Sequence, residues 1–326
     1  MWQPMTVGTI LDRTFKTYRE KFVEISLFSL LIGGIVNLLI SVFQPGGSVQ
    51  SILAGYRNMF SVFGYENTGL LDALGSSGAQ ASTQNLLISS ALNLLDRILI
   101  PPVLAGGIIL ITLAVFHRKD VKRNALFPEV FSRYGKLLRT QLSSIVVTFA
   151  IVIAIVIVFG IIIGISVAIF SVSNANASII IVAILVGLAI VFAVLLCISF
   201  TMFIIPVAVQ EGLYGFKAVG RALGLFRRKL WKSTWLFLLC SLITYPITLV
   251  LSLLVAFLPR IFAAVILSVI QGLVTPISII AFTYLYLDVR MRTEGYDFEL
   301  RNREALESAQ NAGVTEADGY NDGLSI

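Results

Sequence analysis

Apolar residues run along this chain in six long blocks, at roughly 22–43, 97–116, 142–170, 178–208, 233–257 and 261–287, and polar residues collect between them. A helix rising 1.5 Å per residue needs about 20 apolar residues to cross a hydrocarbon core, and each block is of that length or longer. The pattern predicts an all-α integral membrane protein with six transmembrane helices. Composition points the same way. The 326 residues are 57% hydrophobic and 13% charged, with a mean hydropathy of +0.91. A soluble domain could not hide that much apolar surface. The polar stretch ahead of the first block is followed by no clean small-x-small cleavage site, so that block reads as a retained span.

The basic residues fall on alternate sides of successive blocks. Of the 24 Lys and Arg, 21 lie in four segments, at 1–21, 117–141, 209–232 and after the sixth block; Arg57, Arg97 and Arg260 are the exceptions. Basic segments stay cytoplasmic, which predicts cytoplasmic N and C termini and an even number of spans. The opposite face then holds a long outer segment at 44–96, Gly- and Ser-rich with two amphipathic pieces expected to lie on the outer leaflet, and two short hairpin tips.

One polar segment recurs. Residues 9–22 read TILDRTFKTYREKF, 129–142 read EVFSRYGKLLRTQL, and 217–230 read KAVGRALGLFRRKL. Without gaps, Arg13, Arg133 and Arg221 share one column, and Arg19, Arg139 and Arg227 share another. The apolar columns suit one face of a helix. The expected unit is a cytoplasmic amphipathic helix followed by a transmembrane hairpin, three times over and in parallel sense. Two readings of the six arginines stand open. They are feet of spans whose aliphatic stems lie along the interface, or a surface that binds anionic lipids or a partner protein. Nucleic acid fits neither, since the charge is divided among membrane-proximal segments.

The span centres carry no charge, which argues against a proton relay or a charge-coupled pump. Glu24 lies one turn into the first span, and Asp96 and Arg97 sit at the outer end of the second. Prolines 101, 102, 206, 246 and 276 lie in or at the ends of spans, where each removes a backbone donor. Thr244 and Tyr245 adjoin Pro246, and Gln271 and Thr275 adjoin Pro276, forming a candidate polar pathway through the fifth and sixth spans. The same hydroxyls could equally satisfy carbonyls freed by proline. The sequence Ala105-Gly106-Gly107 predicts a close helix contact. His117 is the single histidine, and Cys197 and Cys240 lie inside apolar blocks, so no metal site, cofactor site or catalytic residue is expected.

At the C-terminal end, Tyr284 and Tyr286 read as an interfacial aromatic belt. Beyond them Asp288, Arg290, Arg292, Glu294, Asp297 and Glu299 alternate in sign. That segment is either a solvated, ion-paired helix or a clasp docked on the basic helices. Residues 1–307 form one six-span membrane domain in this reading, and 308–326 a disordered cytoplasmic tail.

The segments MTVGTILDRTFKTYREKF, IIPVAVQEGLYGFKAVGRALGLFRRKLWK and YLYLDVRMRTEGYDFEL resemble the membrane domain of bacterial glycerophosphoryl diester phosphodiesterases, a domain that also occurs as a stand-alone membrane protein. The resemblance implies a bacterial plasma membrane. It does not extend to the catalytic barrel, which needs two histidines and a soluble domain that this chain lacks. The expected function is a non-enzymatic scaffold or accessory subunit that binds a partner or anionic lipids through its basic helices. The alternative is a transporter or lipid-translocating protein using the kinked fifth and sixth spans.

Overall fold

The computed structural model of the chain describes residues 5–38, 83–117, 123–172, 176–255 and 258–295. The outer segment up to residue 82 and the tail at 308–326 lie outside the described residues. The described chain is helical: α1 Val7–Glu20; α2 Phe22–Ser29, carried on by a π-helical turn Leu30–Gly34; α3 Thr83–Phe116; α4 Arg123–Ser132; α5 Tyr134–Val172; α6 Asn176–Glu211; α7 Phe216–Phe226; α8 Leu230–Val255; and α9 Arg260–Glu294. Five of these stretches are long and apolar enough to cross a membrane. The count is six if α1 and Phe22–Leu38, bent by 84° at their junction, form one broken span.

The spans end differently from the apolar blocks. α3 begins at Thr83 and runs unbroken through Pro101 and Pro102, so residues 83–96 belong to the same helix as the second block. The two prolines remove hydrogen-bond donors without ending the helix, which an apolar environment holds together because exposed carbonyls have nowhere else to go.

α1 and α7 are amphipathic and end at breaks at Lys21 and Arg227–Lys229, whereas the middle segment breaks at Arg133 after α4, which is not amphipathic, and continues inside α5. Lys21 and Lys229 share a column of the aligned segments, whereas Arg133 lies eight positions earlier. The middle segment carries Gly135 where the others carry Phe15 and Leu223. Gly135 itself lies inside α5, and α7 runs unbroken through Gly220 and Gly224, so glycine alone does not set the break.

The second half of α9 is the centre of the bundle. Every residue from Ile280 to Val289 is buried on all sides, which is the signature of a helix enclosed by others. α1, α2, α3, α6 and α8 all pack against α9. Tyr284 and Tyr286 are therefore core residues, 4% and 0% exposed, not an aromatic belt. Their ring bodies fill the core while their hydroxyls find internal partners. By contrast α5 and α6 turn outward from mid-length, exposing Phe149, Val156, Ile161, Leu185 and Leu188. Such a face is stable only against hydrocarbon or another apolar surface.

Glycine allows the tightest approach. A Cβ on Gly107 would come within 2.2 Å of the Phe28 ring, and one on Gly272 within 2.8 Å of Leu30. The Ala105-Gly106-Gly107 sequence thus seats α2 against α3.

Candidate functional site

The basic ends of the helices gather around the end of α9 in two polar clusters. α1 starts from Thr6, whose hydroxyl accepts from the Thr9 N–H at 3.2 Å and caps the helix. It then runs in the opposite sense to α9. Its Thr17 shares a 2.6 Å hydrogen bond with the Tyr284 hydroxyl, and its Tyr18 hydroxyl donates to the Leu273 carbonyl at 2.9 Å. Leu273 lies beside Gly272, whose carbonyl loses its helical donor to Pro276.

The first cluster surrounds Asp288, which is 1% exposed. Its carboxylate accepts from the Met5 N–H at 2.9 Å, from Arg292 Nε at 3.1 Å, and from the Lys232 ammonium. Lys232 and Arg292 also donate to the Met5 carbonyl, at 2.6 and 3.0 Å. One carboxylate therefore ties the start of α1, the first turn of α8 and the end of α9 together. A buried carboxylate is tolerable only when paired in this way.

The second cluster surrounds Glu211 at the end of α6. Gly212 and Gly215, with φ of 65° and 67°, turn the chain from α6 into α7, a backbone conformation that glycine adopts without cost. The turn brings Arg221 of α7 back onto Glu211, Nε to Oε2 at 2.8 Å, and onto Glu294 of α9. The Tyr286 hydroxyl donates to the other Glu211 oxygen at 3.0 Å, and Arg290 reaches Glu294 at 3.5 Å. As far as Glu294, the alternating segment at the C-terminal end is a clasp on α7 and α8. Asp297 and Glu299 lie outside the described residues.

The six aligned arginines separate by column. Arg13, Arg133 and Arg221 are each half-buried, and Arg133 pairs with Glu129 at 3.0 Å. Arg13, with Lys16, borders a concavity of about 360 Å³ between α1, α3 and α9. Arg19, Arg139 and Arg227 are each exposed, and among the described residues none of them forms an ion pair. The stem of Arg139 lies over Gly215, where a Cβ would stand 3.2 Å from its Nε. Arg221 thus faces the protein, Arg133 makes only a surface pair one turn away, and Arg19, Arg139 and Arg227 are exposed. Six residues apart, the two columns lie about 120° from each other around a helix, but the sequence did not say which of them packs inward.

The candidate pathway residues lie on α8 and α9, three of them with exposed side chains. Tyr245 is 69% exposed, Gln271 and Thr275 are exposed on α9, and Thr275 donates to its own helix at the Gln271 carbonyl, 2.7 Å. Thr244 is half-buried, and its carbonyl accepts from Thr248 at 2.8 Å. None of the four lines the three clefts bordered by α3, α5 and α6, by α1, α3 and α9, or by α2 and α4. Nor, among the described residues, do three His, Cys, Asp or Glu side chains converge as metal ligands would.

Sequence reasoning left Glu211 and Lys232 out of the site, and brought in Asp288 and Glu294 only as members of the alternating segment that could clasp the basic helices. A signal was present for two of them. Glu211 is the one acid in a strongly basic segment, and Asp288 follows an apolar run.

Long apolar helices packed around α9, with ion-paired clusters confined to one end, define a multi-pass α-helical membrane protein. No protein-family model matches the chain, and no curated protein or solved structure is similar to it.

Proposed function

We propose that this chain is a non-enzymatic accessory or scaffold protein of a bacterial plasma membrane, with both termini cytoplasmic. Its basic face holds anionic lipid headgroups through Arg19, Arg139 and Arg227. The separation of the arginine columns carries this reading. Arg221 is committed to Glu211 and Glu294, while the exposed Arg19, Arg139 and Arg227 form no ion pair among the described residues and have charge to offer. A cation near an anionic leaflet contributes about 1 kcal/mol each. The resemblance of the end segments to stand-alone members of the phosphodiesterase membrane-domain family supports the bacterial setting. The recurrence of the arginine columns in the three sequence segments supports a common role for them. The transport reading rests on Thr244, Tyr245, Gln271 and Thr275 alone, and none of them lines the three clefts described above.

The test is thermal unfolding of the purified protein in neutral detergent, with added phosphatidylglycerol or phosphatidylcholine. Phosphatidylglycerol is expected to raise the midpoint more, and the combined Arg19→Gln, Arg139→Gln and Arg227→Gln variant to lose that difference. Equal stabilisation by both lipids, or a variant responding like the native chain, contradicts the proposal. A protein partner that binds the native chain and the variant equally would place the partner surface elsewhere.

A further inference from the structure

A cleft of about 400 Å³ opens between α3, α5 and α6, at a level where the spans present apolar side chains outward. Its size lies within the roughly 300–1,000 Å³ of small-ligand sites. Ile145 and Phe149 on its rim are exposed, so its mouth faces what surrounds the spans. Hydrocarbon from the bilayer is the medium at that mouth. The interior is not uniformly apolar. Gln141, Ser144 and Thr148 descend α5 about one turn apart along one wall. The Thr148 hydroxyl is shut off from solvent and has no hydrogen-bond partner, although a threonine in a helix can bond the carbonyl one turn back. On the facing wall Pro206 has no N–H to give the Met202 carbonyl, and both residues line the cleft. A buried hydroxyl without an acceptor is costly, and in an apolar medium no water relieves it.

We propose that this cleft binds one diacyl glycerolipid from the surrounding leaflet. An acyl chain fills the apolar part, and an ester carbonyl accepts the Thr148 hydroxyl. Pure hydrocarbon would fill the volume but leave Thr148 unpaired, and water would pair with Thr148 but wet the apolar walls. An ester-linked lipid meets both demands. The cleft shares no residue with the six arginines, so the site stands apart from the headgroup surface and does not depend on the lipid's charge.

The full-length protein, reconstituted in phosphatidylcholine nanodiscs, is tested with a phosphatidylcholine probe carrying a photoactivated diazirine in one acyl chain. Mapped crosslinks are expected to concentrate on 145–152 of α5 and on 201–205 of α6. Thr148→Val, which keeps the shape and removes the hydroxyl, is expected to lower labelling about three- to tenfold, the worth of one hydrogen bond. Ala105→Phe, which fills the cleft, is expected to abolish it, and Leu188→Phe on the outer face of α6 to leave it unchanged. An ether-linked probe that lacks the ester carbonyl is expected to label the native chain as weakly as the ester probe labels Thr148→Val. That comparison needs no variant and decides the matter if Ala105→Phe fails to fold. Labelling spread evenly along the exposed face of α5, or equal labelling by the ester and ether probes, overturns the proposal. Neither result bears on the exposed arginines, because phosphatidylcholine carries no net charge.

Discussion

Asp288 places a carboxyl group in a position that is 1% exposed, with three donors around it. Removing it strands the Lys232 ammonium, itself only 16% exposed in its side chain, against the Met5 carbonyl alone. Breaking a buried ion pair by deleting one partner costs about 3–5 kcal/mol. Asp288→Ala is therefore expected to lower the thermal unfolding midpoint in detergent sharply. Adding Lys232→Met is expected to restore part of the loss, because it removes the unpaired charge. A change in Asp288→Ala no greater than that of Glu20→Ala, whose carboxylate makes only an exposed 3.9 Å pair with Lys16, would contradict this role. Such residues are hard to read from sequence. The arginines announce themselves by recurring in columns, but Glu211, Lys232 and Asp288 each occur once. Their importance arises only when turns at Gly212 and Gly215 and the return of α1 bring distant segments to the end of α9.

The helices themselves were legible, and their boundaries were less so. Apolar length is enough to mark a span, because a helix is the one way for a single segment to satisfy its backbone in lipid. Which spans are enclosed is not contained in apolarity. α5 and the end of α9 are both strongly apolar, yet α5 is exposed over most of its length and Ile280–Val289 is buried throughout. That difference misassigned Tyr284 and Tyr286, whose hydroxyls pair with Thr17 and Glu211 inside the bundle. The repeated segment also hid the early break at Arg133. The small-residue contact was legible, since Ala105-Gly106-Gly107 is an unusual run in a span. Gly107→Ala drives a methyl into the Phe28 ring and is expected to cost about 1–3 kcal/mol, the usual range for overpacking. Gly160→Ala meets nothing within 4 Å and is expected to leave the unfolding midpoint in place. Equal midpoints for the two variants would show that α2 does not seat on α3 as described.

Across the whole molecule, charge and packing are polarised together. The polar clusters, the clasp formed by α9, and the three breaks at Lys21, Arg133 and Arg227–Lys229 belong to the basic ends of the helices. α5 and α6 spread apart from the core towards the other end with apolar faces outward. A protein built this way has one firmly cross-linked end and one end that relies on the bilayer. The proposed roles follow from that division: exposed arginines meet headgroups at the cross-linked end, and the α3–α5–α6 cleft takes a lipid chain beside it. The headgroup role, as proposed, places the basic end at the cytoplasm; the cleft holds its lipid in either orientation. The direct measurement is cysteine accessibility in intact bacteria, with Cys197 and Cys240 replaced by alanine. Lys217→Cys, exposed on α7, and Leu258→Cys, exposed between α8 and α9, are treated with a membrane-impermeant maleimide. Leu258→Cys is expected to react in intact cells and Lys217→Cys only after the membrane is opened. Reaction of Lys217→Cys in intact cells, with Leu258→Cys protected, would place the basic end outside and contradict the account.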